Sequence, residues 1–187
     1  MSIQRRYLKI LVSGPYASGK TTFIKTLCEK VLTTEAKVYS TYESQVKSTT
    51  TVAFDYGKMF YNRLPIYLFG TPGQIRFNFM WKILSLGIHG YIFIIDGSSL
   101  SYVLRGRALY EYMKSLGDFP HIIAVNKQDI PGSVDPSIVA RLFNINPEHV
   151  IPLIALEKKS AFRAIERIVD ILAKERKVKM IGQTANA

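Results

Sequence analysis

Short apolar runs recur along this chain, and between them lie stretches whose apolar residues return every three or four positions. The first pattern predicts strands and the second helices. Tyr7 to Val12 (YLKILV) reads as a short buried strand, and Thr21 to Val31 as a helix. Thr51 to Phe60 and Leu64 to Phe69 read as two strands joined around Tyr61-Asn62-Arg63, an antiparallel pair. Ile75 to Leu84 is a helix, Gly90 to Ile95 a strand, Tyr102 to Leu116 a helix and His121 to Val125 a strand. Pro136 to Leu142 is a short helix and Val150 to Ile154 the last strand. Ser160 to Lys174 closes the pattern as a long amphipathic helix, with Ile165, Ile168, Val169 and Leu172 at helical spacing. Apolar strands separated by helices imply an α/β fold, here a six-stranded, mostly parallel sheet with helices on both faces. Ligands of such sheets bind beyond the carboxyl ends of the strands.

Length and composition narrow this picture. A chain of 187 residues with 48% apolar side chains is enough for one domain with a sizeable core and hardly enough for two. No repeat, low-complexity stretch or linker divides it, so one domain is expected over 1–176, with 177–187 a flexible tail. One cysteine, Cys28, excludes an intramolecular disulfide and a cysteine-based zinc site. His89, His121 and His149 lack ligand-like spacing, and Trp81 reads as core. The opening MSIQRRYLKI lacks the apolar stretch of a signal peptide, and no lipidation motif is read at either end. A cytoplasmic location is expected, with peripheral membrane contact unsupported by any such motif. The net charge of +11 raises nucleic acid as a partner. However, the basic residues are scattered, apart from a concentration running from Lys158 to Lys179 that reads as a solvated helix face and tail. No nucleic-acid partner is expected.

Candidate chemistry lies just after the predicted strands. Gly14-Pro-Tyr-Ala-Ser-Gly19-Lys20-Thr21 fits G-x-x-x-x-G-K-[ST] between a strand and a helix, a loop that wraps phosphates with its backbone N–H groups. Gly14, Ala17, Ser18, Gly19 and Thr22 belong to that cradle. Lys20 adds a point charge at the β- and γ-phosphates, and the Thr21 hydroxyl is placed to ligate Mg²⁺. Asn126-Lys127-Gln128-Asp129 follows another apolar strand. A carboxylate at Asp129 can accept from N1–H and the exocyclic amine of guanine together, which adenine cannot offer. Asn126 can tie loops together, and the Lys127 stem can lie over the base.

With these motifs in order, the chain resembles the small Ras-like GTPases, most closely their Arf-like and prokaryotic relatives, over roughly residues 5 to 175. The resemblance implies the P-loop NTPase fold and a switch that binds GTP/GDP with Mg²⁺ and hydrolyses GTP slowly. It also implies GTPase-activating, nucleotide-exchange and effector partners. Ser48 to Phe54 resembles the first switch, where Thr51 would hold Mg²⁺ and the γ-phosphate; Thr49 and Thr50 compete for that role, and Thr51 best matches T-x-x-F. Gly73 and Gln74 resemble the second switch, with the Gly73 N–H on the γ-phosphate and Gln74 orienting the attacking water. Ile151 to Ala155 resembles the last motif, in which Ala155 meets the guanine oxygen through its backbone and Leu156 follows beside it.

Two positions depart from the family pattern. Gly70 stands where the second switch normally begins with Asp, which predicts weaker metal affinity. Tyr16 stands where a small residue is usual and could crowd Gln74. Two other readings remain open from sequence: an ATPase using Tyr91 to Asp96 as an apolar strand ending in a metal-binding acid, and a nucleotide-bound scaffold with little hydrolysis.

Overall fold

The computed structural model describes residues 7–39, 49–73 and 77–184. The elements are β1 (Leu8–Ser13), α1 (Lys20–Leu27), β2 (Val31–Tyr39), β3 (Thr49–Tyr61), β4 (Leu64–Gly70), α2 (Asn78–Leu84) and β5 (Gly90–Asp96). Then follow α3 (Leu100–Ser115), β6 (His121–Asn126), α4 (Pro136–Phe143), a 3₁₀ turn (Pro147–His149), β7 (Val150–Pro152) and α5 (Lys158–Thr184). They form one sheet in the order β2-β3-β4-β1-β5-β6-β7. The sheet has seven strands, not the six expected. The added strand, β2, lies at the edge and pairs with β3 alone. It begins at Val31, where the sequence pattern still reads as helix. In fact α1 ends at Leu27, and Cys28 takes extended dihedrals. At the other end, α5 continues past 176, where the tail was expected to begin.

β2–β3 and β3–β4 pair antiparallel, and the remaining neighbours are parallel. The β3–β4 hairpin turns through Asn62 and Arg63, both at positive φ (47° and 66°). Two such residues match the right-handed twist of the flanking strands. β5 is buried along its whole length, as a central parallel strand should be. Its side chains alternate between two cores, because successive residues point to opposite faces. Ile92 and Ile94 join Ile10, Val12, Phe23, Ile24, Ile165 and Ile168 beneath α1 and α5. Tyr91, Phe93 and Ile95 join Leu11, Trp81, Val103, Met113 and Phe143 beneath α2, α3 and α4. Helices therefore cover both faces, and the loops after β1, β4, β6 and β7 gather at the carboxyl edge of the sheet.

The histidines are structural. His89 Nδ1 accepts from the Lys9 amide, the His121 ring stacks on Tyr91 at 4.5 Å, and His149 Nδ1 bonds the His121 carbonyl. Among the described residues no helix is long and apolar enough to cross a membrane.

Candidate nucleotide-binding site

The loop from Gly14 to Gly19 joins β1 to α1 through two glycines at positive φ, 139° and 104°. Space as well as dihedral demands glycine at both positions. A Cβ on Gly14 would lie 2.0 Å from the Ile94 carbonyl oxygen, and one on Gly19 would lie 2.2 Å from Asn126 Nδ2. Ala17 is also left-handed, at φ 59°. Lys20, in the first turn of α1, is buried and donates to the carbonyls of Gly14 (2.9 Å) and Pro15 (2.6 Å). Burial lowers its ammonium from the ordinary 10.5 to about 8, against the opposing pull of the Asp55 charge. A cavity of about 470 Å³ opens over this loop, lined by Lys20, Thr21, Thr22, Asp55, Gly70 and Gly73 among others.

Asn126, at the end of β6, is buried and works on both sides of its amide. Nδ2 donates to the Ser18 carbonyl at 2.8 Å, and Oδ1 accepts from the Ala155 amide at 2.9 Å. Thr26 Oγ1 on α1 adds a bond to the Ala155 carbonyl at 2.8 Å. The phosphate loop, the loop after β6 and the loop after β7 are thereby one construction. Ala155 is buried, while Asp129 and Leu156 are exposed. The Ala155 N–H expected to face a base oxygen is thus already bonded to Asn126. Lys127 takes a left-handed backbone (φ 65°) and its Nζ meets Asp96 Oδ2 at 2.6 Å.

That contact bears on the acid ending β5. Asp96 Oδ1 accepts from the Ser98 amide (2.9 Å) and hydroxyl (2.6 Å). Desolvation by burial raises its pKa, but the hydrogen bonds from Lys127 and Ser98 outweigh it and hold the carboxyl below its usual 3.8. Asp96 is a loop anchor, and both its oxygens are committed. The metal-binding acid of the ATPase reading therefore has no support at this strand end.

On the other side of the cavity, the segment after β4 runs along β1. The Thr71 amide donates to the Val12 carbonyl (2.9 Å), and Trp81 Nε1 holds the Pro72 carbonyl at 2.8 Å. Gly73 lies against the phosphate loop: a Cβ there would sit 2.5 Å from the Tyr16 amide nitrogen and 2.7 Å from Lys20 Nζ. Tyr16 is 73% exposed, so its ring stands largely in solvent. Thr51 is on β3, opposite Lys37 in the β2–β3 register. Gln74 lies outside the described residues.

Sequence reading missed Asp55, also on β3. Its Oδ2 accepts from Thr21 Oγ1 at 2.5 Å. The hydroxyl and carboxylate together offer hard oxygen donors on the cavity wall, and such donors suit Mg²⁺, which keeps several waters and leans on substrate phosphates. Among the described residues no group of three or more His, Cys, Asp or Glu could cage an ion, so a site of this sparse kind is the one the residues fit.

Sheet order, phosphate loop and flanking loops define a small Ras-like GTPase fold of the P-loop class. The Arl6 BBS3 small GTPase of Trypanosoma brucei, solved with the nucleotide analogue GppNp, has this fold with a TM-score of 0.67 and 14% identity, over 90% of this chain and 98% of that one. Residues 29–186 match the family described as "Conserved hypothetical ATP binding protein", and the chain belongs to that family. The matched segment starts after the phosphate loop and includes the loop of Asn126 to Asp129. An uncharacterized protein of Methanocaldococcus jannaschii is 28% identical over 162 residues, 87% of this chain and 95% of the relative. The mutual gliding-motility protein MglA of Myxococcus xanthus is 25% identical over 153 residues, 73% of this chain and 75% of the relative.

Proposed function

We propose that this protein is a guanine-nucleotide switch that binds GTP and GDP with Mg²⁺ and hydrolyses GTP slowly. The observation that carries the reading is the pair of hydrogen bonds made by the Asn126 amide, which ties the Asn126-to-Asp129 loop to the phosphate loop at Ser18 and to the loop after β7 at Ala155. A base reader joined in this way to a phosphate cradle favours guanine, because a carboxylate at Asp129 accepts two donors that only guanine presents together. The family's description names ATP; the acceptor chemistry of Asp129 argues for the other purine.

Lys20 and the N-terminus of α1 would neutralise the phosphates. Thr21 and Thr51 would hold Mg²⁺, which when bound supplies charge neutralisation at the β- and γ-phosphate oxygens. The Gly73 amide would donate to the γ-phosphate, and Gln74 would orient the attacking water. Loss of the γ-phosphate would then release Thr51 and Gly73, and that release is the signal. Intrinsic turnover in such proteins is slow without a transition-state arginine supplied in trans, so activating, exchange and effector partners belong to the reading, as does a cytoplasmic setting.

Affinities for GDP, GTP and ATP, measured with and without Mg²⁺, test it. Guanine nucleotides should bind at least about 100-fold more tightly than ATP, since a mismatched base leaves polar groups unpaired. A preference for ATP would replace this reading with the ATPase one. Gln74→Leu should lower single-turnover hydrolysis while leaving GTP affinity near the parent's, because the water contact matters only in the transition state.

A further inference from the structure

Position 70 is where the small Ras-like GTPases that the chain resembles carry an acid and this chain has glycine. The hairpin register shows what stands beside it. β3 and β4 pair from Tyr61–Leu64 out to Tyr56–Phe69, and the next positions outward are Asp55 and Gly70. Residues directly opposite in antiparallel strands project from the same face, so the Asp55 side chain leaves the sheet where a side chain at 70 would have left it. The approach is unusually close. A Cβ on Gly70 would lie 3.3 Å from Asp55 Cβ and 3.0 Å from Ile24 Cδ1, whereas opposed Cβ atoms normally sit about 4.5–5.5 Å apart. The glycine and the aspartate belong together: one makes room for the other.

The Asp55 carboxylate also has a particular partner. It accepts from the Thr21 hydroxyl, which spends the hydroxyl hydrogen and leaves the oxygen lone pairs for a cation. Fixing a ligand's orientation from outside in this way is how outer carboxylates raise the affinity of metal sites.

We propose that Asp55 is the carboxylate of this protein's Mg²⁺ site, carried on β3 in place of the acid absent at position 70. It is a positioning residue, acting through the Thr21 hydroxyl and through water on the metal. The proposal rests on the cleft being a Mg²⁺–nucleotide site.

The test is the release rate of N-methylanthraniloyl-GDP from the full chain, titrated with free Mg²⁺. Asp55→Asn should raise the Mg²⁺ concentration for half-maximal slowing by about 10–100-fold. Moving the acid back, Asp55→Gly with Gly70→Asp, should return the midpoint toward the parental value, which no merely structural role for Asp55 explains. An unmoved midpoint in folded Asp55→Asn overturns the proposal, and so does a parent whose release ignores Mg²⁺. If Asp55→Asn does not fold, the exchange variant decides: a near-parental midpoint supports the proposal and a strongly raised one refutes it. Should the parent bind ATP and not GDP, the guanine reading falls, and the same titration with N-methylanthraniloyl-ATP still tests Asp55.

Discussion

At the base end of the cleft, Asn126 is bonded on both sides of its amide, Lys127 is paired with Asp96, and Ala155 is pinned from two directions. At the proposed metal end, a hydrogen bond from Thr21 to Asp55 joins α1 to β3, and position 70 has no side chain to contribute. The two ends differ in what they ask of the fold. A base reader gains discrimination from rigidity, because an acceptor that cannot turn away penalises the wrong donor pattern. A γ-phosphate sensor has to change its contacts when the phosphate leaves, so few bonds should hold it.

Substitutions can break this contrast, starting with the group both ends share. Lys20→Ala should weaken nucleotide binding by about 10²–10⁴-fold, taking two charge-assisted hydrogen bonds at roughly 1.5–3 kcal/mol each. Calorimetric affinity on a variant with parental circular dichroism measures it; unchanged affinity would end the phosphate-loop assignment. Next comes the base reader. Asp129→Asn should exchange guanine for xanthine preference, with a change of about 100-fold in the ratio, since asparagine can turn a donor toward the xanthine carbonyl. Parallel titration with GDP and XDP checks this, and an unaltered ratio would remove Asp129 from the site.

Asn126→Ala tests the rigidity itself. It leaves the Ser18 carbonyl and the Ala155 amide without their partner, at a cost of about 1–3 kcal/mol for each buried group, and denaturant unfolding should show the loss. Asp96→Asn should be milder, under about 1 kcal/mol once the exposure of the Lys127 side chain is allowed for. The folded carboxyl of Asp96 titrates below its ordinary value. Its contribution is therefore complete above pH 3.8 and lost as pH falls through the lower folded value. Parent and variant stabilities should converge in acid. Smallest of all is Tyr16→Gly: with the ring largely in solvent, single-turnover hydrolysis should stay within about threefold of the parent, well short of the roughly 10²–10³-fold expected when a transition-state contact is lost. A larger rise would mean that the phenol obstructs Gln74.

Much of this architecture is legible in the sequence because burial writes itself as apolar runs. β5 is buried on both faces and reads unmistakably as YIFII. β2 escapes the same reading because an edge strand is held by backbone bonds to one neighbour, and VLTTEAKVY carries only a weak apolar signal. The phosphate loop and the Asn126 loop are contiguous motifs, so their chemistry is visible residue by residue. Asp55 is different. Its neighbours at the site, Thr21 and Gly70, reach it only through strand register and helix packing. A polar residue between Phe54 and Tyr56, counted outward from the Asn62-Arg63 turn, is the signal that would have found it.

The bonds of Asn126 and Thr26 also fix when the cleft can form during folding. They join residues 108 and 129 positions apart, whereas the β3–β4 hairpin closes across two turn residues. Hairpins form in about 1–10 μs, but contacts of long sequence separation must wait for the intervening chain to be ordered. The two loops that Asn126 bridges therefore come into register late, after the local strands are in place. A ligand that needs both loops stabilises the native state more than the folding transition state. Bound GDP is expected to slow unfolding while leaving the refolding rate nearly unchanged; faster refolding in GDP would show that the cleft assembles early.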